Sequence, residues 1–192
     1  TKRDIIFEAL AWIRLMQRDV AGAKQALTQL KTSVIAPELS ARMAAAENDI
    51  PRVIDVLLPL QDELSVEDLT LLFSALAADG RTRDVVSIWK KRIEAGMPLE
   101  PCASAAALRL SQDGAFDHAF EINKVAFEKS ADSRHAFNAA CNLVRLGRHD
   151  DAMEWLRHAV AGGYKTKQAI LEDVDLKPLH ARDDFQRLAE KL

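Results

Sequence analysis

Residue types that recur at fixed distances from a short turn constrain this chain more than any other feature. Turns at Gly80, Gly114 and Gly147 lie 34 and 33 residues apart. Five residues beyond successive turns come Ala23, Val53, Val85, Ala119 and Ala152, separated by 30, 32, 34 and 33 residues, and seven before them come Ala11, Ala41, Phe73, Ala107 and Ala140. Small residues at facing positions let two helices approach closely. Four residues further along each second helix, Leu27, Leu57, Trp89 and Leu156 fill the space between layers, with Asn123 breaking the series. A period of this length marks stacked helical hairpins that bury their apolar faces against neighbours.

The rest of the composition agrees. Seven glycines and six prolines in 192 residues, with abundant Ala, Leu, Lys, Arg and Glu, favour helix. Helices are predicted at about 3–18, 20–32, 37–47, 50–63, 66–79, 82–95, 100–113, 116–129, 133–146 and 149–161. Local signals set their ends. Ser65 three residues before Asp68 has a capping-box spacing, Pro37 and Pro51 sit in first turns, and Gly96 and Gly162 follow periodic segments as stops. Pro59 falls inside a predicted helix and is expected to kink or shorten it. The expected fold class is all-α: a right-handed α-solenoid of about five antiparallel helix pairs plus a C-terminal capping helix. It forms one domain over 1–192, with repeats at about 3–33, 36–64, 65–96, 99–130 and 132–163 and a cap at 164–192.

Several functions are disfavoured. The 26 basic and 29 acidic residues are interspersed and sum to −3, so no broad basic field attracts a phosphate backbone, and no nucleic-acid partner is expected. No apolar run approaches the roughly 20 residues that span a bilayer, so membrane insertion is not expected. Cys102 and Cys141, 39 residues apart in apolar stretches, read as buried thiols of a cytoplasmic protein. The five histidines are scattered, with no one-turn pairing, and read as surface or interfacial side chains. Asp150-Asp151 and Asp183-Asp184 fall in first turns, where they complement the helix dipole without catalysis. No catalytic residue, metal site or cofactor is expected. The start at Thr1 fits a piece of a longer protein.

Residues 133–163 resemble a tetratricopeptide repeat: Phe137-Asn138-Ala139-Ala140 in the first helix, Leu146-Gly147-Arg148 at the turn, Asp150-Asp151-Ala152 opening the second helix and Ala159 near its end. Residues 103–130 and 69–96 match less closely, and 3–63 match in spacing alone. The segment 170–192 is similar to the closing segment of many bacterial tetratricopeptide proteins, a Leu-x-Pro-Leu turn leading into an Asp-Phe-x-x-Leu helix, with Leu171, Leu176, Leu179, Phe185 and Leu188 expected on its buried face.

The resemblance implies a non-enzymatic scaffold that binds a peptide or partner protein in a groove lined by the first helix of each pair. Carried across by offset from each turn, the groove positions are Glu8, Trp12, Arg42, Thr70, Ser74, Ser104, Leu108, Arg134, Phe137, Asn138 and Cys141. The family's two-carboxylate clamp needs Lys and Arg with paired Asn on consecutive first helices. Only Arg134 and Asn138 could contribute, so binding of chaperone tails is not expected. The alternative role is a regulatory, oligomerising or substrate-recruiting domain of a larger bacterial protein, with an apolar start near Ile5, Ile6 and Phe7 as a hint of self-association.

Overall fold

Five of these helices start where a side chain accepts from the free N–H groups of the first turn. Asp19 accepts from the Gly22 amide at 2.8 Å, Asp49 from Arg52 at 3.2 Å, and Ser65 from Asp68 at 3.1 Å. The Asp68 carboxylate accepts the Ser65 hydroxyl in return at 2.8 Å, so the box closes through the hydroxyl. The structure, a computed structural model, describes residues 2–31, 35–98, 100, 102–163 and 166–192.

The helices are α1 (Lys2–Met16), α2 (Val20–Leu27), α3 (Pro37–Ala46), α4 (Ile50–Leu57), α5 (Val66–Ala78), α6 (Thr82–Glu94), α7 (Cys102–Gln112), α8 (Phe116–Ser130), α9 (Ser133–Arg145), α10 (His149–Ala161), α11 (Lys167–Glu172) and α12 (Asp183–Ala189). No strand occurs among the described residues. The fold is all-α. Two helices end five or more residues earlier than predicted. After Leu27 the chain tightens, with the Gln29 and Leu30 amides donating to the Ala26 and Leu27 carbonyls. Pro59 shortens α4 as expected: the helix stops at Leu57 and Leu58–Leu60 form a 3₁₀ turn.

One backbone device recurs at the turn positions. Gly80, Gly114 and Gly147 take φ values of 77°, 78° and 73°, and the equivalent positions of the two degenerate repeats, Arg18 and Asn48, take 61° and 58°. The same left-handed turn therefore survives where glycine does not. The small residues follow suit: Ala11, Ala41, Ala107, Ala140, Ala23, Val53, Val85, Ala119 and Ala152 are all buried.

The chain divides into two compact units, Thr1–Gly80 and Arg81–Leu192. In the first, α1 packs on α2 and α3, and α4 on α3 and α5. A small core of Ala11, Ala23, Ala26, Leu39 and Met43 holds the start of this unit. In the second, α8 packs on α6, α7 and α9, and α9 on α10. The Lys90–Glu121 ion pair ties α6 to α8.

The closing segment of the second unit is two short helices joined through a 3₁₀ turn at Lys177–Leu179, rather than one capping helix. Leu176, Leu179 and Phe185 are fully buried in the same core as Leu143 and Leu156, with Leu171 and Leu188 packed against it. Ile170, not expected there, is buried as well. Gly162 does not supply the left-handed residue after α10; Gly163 does, with φ 76°. A Cβ on Gly162 would lie 2.6 Å from that of Ser133, so Gly162 lets the end of α10 approach the start of α9.

Candidate functional site

In the second unit, α7 and α9 present side chains from successive turns to a shared hollow. Leu108, Ser111 and Gln112 come from α7, and Phe137, Asn138, Cys141, Asn142 and Arg145 from α9. Phe116 and Asn123 of α8 contribute from below, and Asp173 and Asp175 from the connection that follows α11. Together they line a groove of about 690 Å³. The hydrogen bond from the Ser111 hydroxyl to Asn142 Oδ1 (2.7 Å) joins the two helices, and the Asn142 amide donates to the Asn138 carbonyl at 2.9 Å. Leu108 is 60% exposed, whereas Phe137 is buried. The Asn138 side chain is exposed.

Cys141, Asp173 and Asp175 bring one potential ligand atom each within 4.8 Å of one another. The arrangement is already neutralised in part. The Arg145 guanidinium sits 2.5 Å from Asp175 Oδ1, and Asp173 Oδ1 accepts the Asp175 amide at 3.0 Å. A cation is thus supplied by the chain itself, and the cluster works as an ion pair beside a thiol. Arg145 also lies over the Phe116 ring at 5.9 Å. Neither cysteine is in a disulfide. Burial pushes the Cys102 thiol up to about 11, leaving Cys141, half-buried in the groove, as the accessible sulfur.

Of the eleven predicted groove positions, the structure brings together Leu108, Phe137, Asn138 and Cys141 here. Trp12 and Arg42 meet separately in the first unit, in a pocket of about 280 Å³ with Leu15, Met16 and Leu71. There the Arg42 guanidinium lies 5.4 Å from the Trp12 ring and 2.6 Å from Asp68, so its charge is spoken for. Thr70 and Ser74 donate their hydroxyls to the carbonyls of Val66 and Thr70, and with Glu8 they line neither pocket. Ser104 donates to Glu100 at 3.0 Å. Arg134 turns back to the α9 cap Asp132, at 2.6 Å, and that hydrogen bond holds the Asp132 carboxyl below the usual carboxylate range.

His135 is not a surface or interfacial side chain. It is 1% exposed, with Nδ1 3.0 Å from Asn123 Oδ1 and Nε2 2.6 Å from Glu100, off the line of a hydrogen bond. The Asn123 amide donates to the Ala119 carbonyl at 3.0 Å, which turns its oxygen to the imidazole. The histidine is drawn inward because Asn123 stands where other repeats carry Leu or Trp, and a buried amide needs a polar neighbour.

These elements define a class: an all-helical protein in which α1 packs on α2, α3 on α4, α7 on α8 and α9 on α10, with a left-handed residue at each predicted turn. No protein-family model and no curated protein matches the sequence. Solved structures do match. A crystal structure of MamA protein superposes with TM-score 0.56 at 14% identity, covering 90% of this chain and 97% of that one. MamA AMB-1 gives 0.55 at 18%, with 89% and 98% covered, and MamA MSR-1 gives 0.54 at 16%, with 85% and 98% covered. The likeness is one of fold, and it supports a helical-repeat fold of the tetratricopeptide type.

Proposed function

We propose that this chain is a non-enzymatic protein-interaction scaffold that seats a segment of a partner protein in the α7–α9 groove. The observation that carries the reading is Leu108: an apolar side chain 60% exposed at a groove of about 690 Å³, close to the exposed amide of Asn138. Burying an apolar anchor while an amide holds the partner's backbone is the usual division of labour at such sites. The two thiols outside any disulfide support a reducing, cytoplasmic setting. The test is a photo-crosslinker placed at Asn138, with a control at exposed Lys129. A partner captured at the first position, lost with Leu108→Asp and absent at the control, is the expected result. Capture that ignores Leu108→Asp sinks the groove.

A second reading, an oligomerising role within a larger protein, is favoured by one observation. Ile5, Ile6, Ile13 and Met16 are 66, 65, 50 and 82% exposed on α1. At 100° per residue they fall within one stripe about 100° wide, on the side of α1 away from buried Asp4 and Ala11. No helix among the described residues covers it.

A further inference from the structure

We infer that the α7–α9 groove selects partner segments in which an apolar side chain is followed closely by lysine or arginine. The inference rests on the scaffold reading above and adds the chemistry of the occupant. Two carboxylates, Asp173 and Asp175, face the hollow against one guanidinium, that of Arg145. Arg145 is committed to Asp175 at 2.5 Å. Asp173 has no ion-pair partner among the described residues; its Oδ1 accepts a backbone amide, and its charge remains on offer to whatever enters. The other groove side chains on α7 and α9 are neutral: Ser111, Gln112, Asn138 and Asn142. The local field therefore favours a cation, close to the apolar surface of Leu108 and Phe116. A carboxylate-terminated ligand would meet the opposite preference, since the one available cation is already paired.

Asp173 is also placed by the fold rather than by chance of rotamer. Its carboxylate closes a two-residue turn onto the Asp175 amide, which fixes it at the end of α11. Asparagine can make the same turn without the charge, so Asp173→Asn isolates the electrostatic contribution.

Cys141 reports occupancy, because a peptide in the groove shields its thiol, while fully buried Cys102 serves as an internal reference. The probes are acetyl-Ser-Leu-Phe-Lys-Lys-Ser-amide and versions with Ser-Ser or Glu-Glu in place of Lys-Lys, blocked at both ends. The readout is iodoacetamide alkylation of the intact protein, located by mass spectrometry. The Lys-Lys peptide should protect Cys141 at about threefold lower concentration than the Ser-Ser peptide, the size of a partly exposed ion pair, with Glu-Glu weaker still. The difference should fade at about 1 M salt. Asp173→Asn should make the Lys-Lys and Ser-Ser peptides protect Cys141 at the same concentration as each other within that variant, and Asp173→Lys should reverse their order. Equal protection by all three peptides, or a lysine preference that persists in Asp173→Asn, overturns the charge selection and leaves the groove standing. If no peptide slows alkylation, the groove reading falls, and the selection falls with it.

Discussion

Arg18 and Asn48 hold a backbone conformation that three other turns assign to glycine. For an L-residue the left-handed region costs roughly 1–2 kcal/mol, less for asparagine, and glycine recovers part of that against its own entropy loss. Arg18→Gly is therefore expected to raise stability by about 0.5–1 kcal/mol and Asn48→Gly by less. Gly114→Ala and Gly147→Ala should each lower it by about 1 kcal/mol through the backbone alone, since a Cβ at either position meets nothing within 4 Å. Urea titration of each variant measures these differences. An Arg18→Gly protein less stable than the parent would show that the arginine side chain, not its φ of 61°, governs the site. A second residue-scale expectation concerns Asn123 and His135. Asn123→Leu restores the apolar series yet strands the imidazole, and should cost about 1–3 kcal/mol. The double variant with His135→Leu should lose less than the sum of the two single changes, because both members of the buried pair then leave together. Strict additivity would mean that the 3.0 Å contact contributes nothing. The sequence contained the clue to this pair, a polar residue in an apolar series, but it did not say which residue would answer it.

Among the elements, the hairpins were legible in the sequence because their information is local: periodicity, caps, and small residues at fixed offsets all lie within about one turn of the feature they specify. Helix α10 spans 149–161 as predicted, and α5 and α9 fall within a residue of prediction at each end. The groove was legible only in part. Leu108, Asn138 and Cys141 follow from the hairpin offset, and extending each by one turn would have reached Ser111, Asn142 and Arg145. Asp173 and Asp175 could not be found that way, because they belong to the closing segment and arrive at the groove by tertiary packing. That segment is itself held by charge. Arg182 reaches Asp184 at 2.9 Å and Asp150 at 2.7 Å, while Arg157 reaches Asp184 at 3.2 Å. The Arg182 hydrogen bond, then its charge, holds the Asp184 carboxyl below its ordinary value. A depressed carboxyl contributes stability that is present above the unfolded value near 3.9 and is lost as pH falls through the folded value. Protection of the α12 amides in hydrogen exchange should accordingly weaken below about pH 4. In Asp184→Asn that loss should be smaller and protection at pH 7 already reduced. Because these groups are partly exposed, the effect should be modest and shrink with salt. An unchanged acid profile in the variant would remove Asp184 from the account.

For the whole molecule, the open question is what water-facing apolar surface on α1 does. Fully burying an isoleucine is worth about 1.5–3 kcal/mol. The three isoleucines and Met16 are half to four-fifths exposed, so covering them gains several kcal/mol at most. Association of two molecules costs roughly 4–15 kcal/mol in lost translational and rotational freedom and ordering. The balance predicts weak pairing through this stripe alone, visible at high protein concentration and absent at low. Light scattering on a size-exclusion column should show an average mass near the 21.3 kDa of one chain in dilute samples, rising as loading increases. Ile13→Glu puts a charge in the middle of the stripe and should hold the mass at one chain throughout. Leu108→Asp, in the other unit, should leave the rise untouched, which separates self-pairing from occupancy of the α7–α9 groove. A mass that stays at one chain under all loadings, or a rise that Ile13→Glu does not abolish, removes the stripe as an interface between copies.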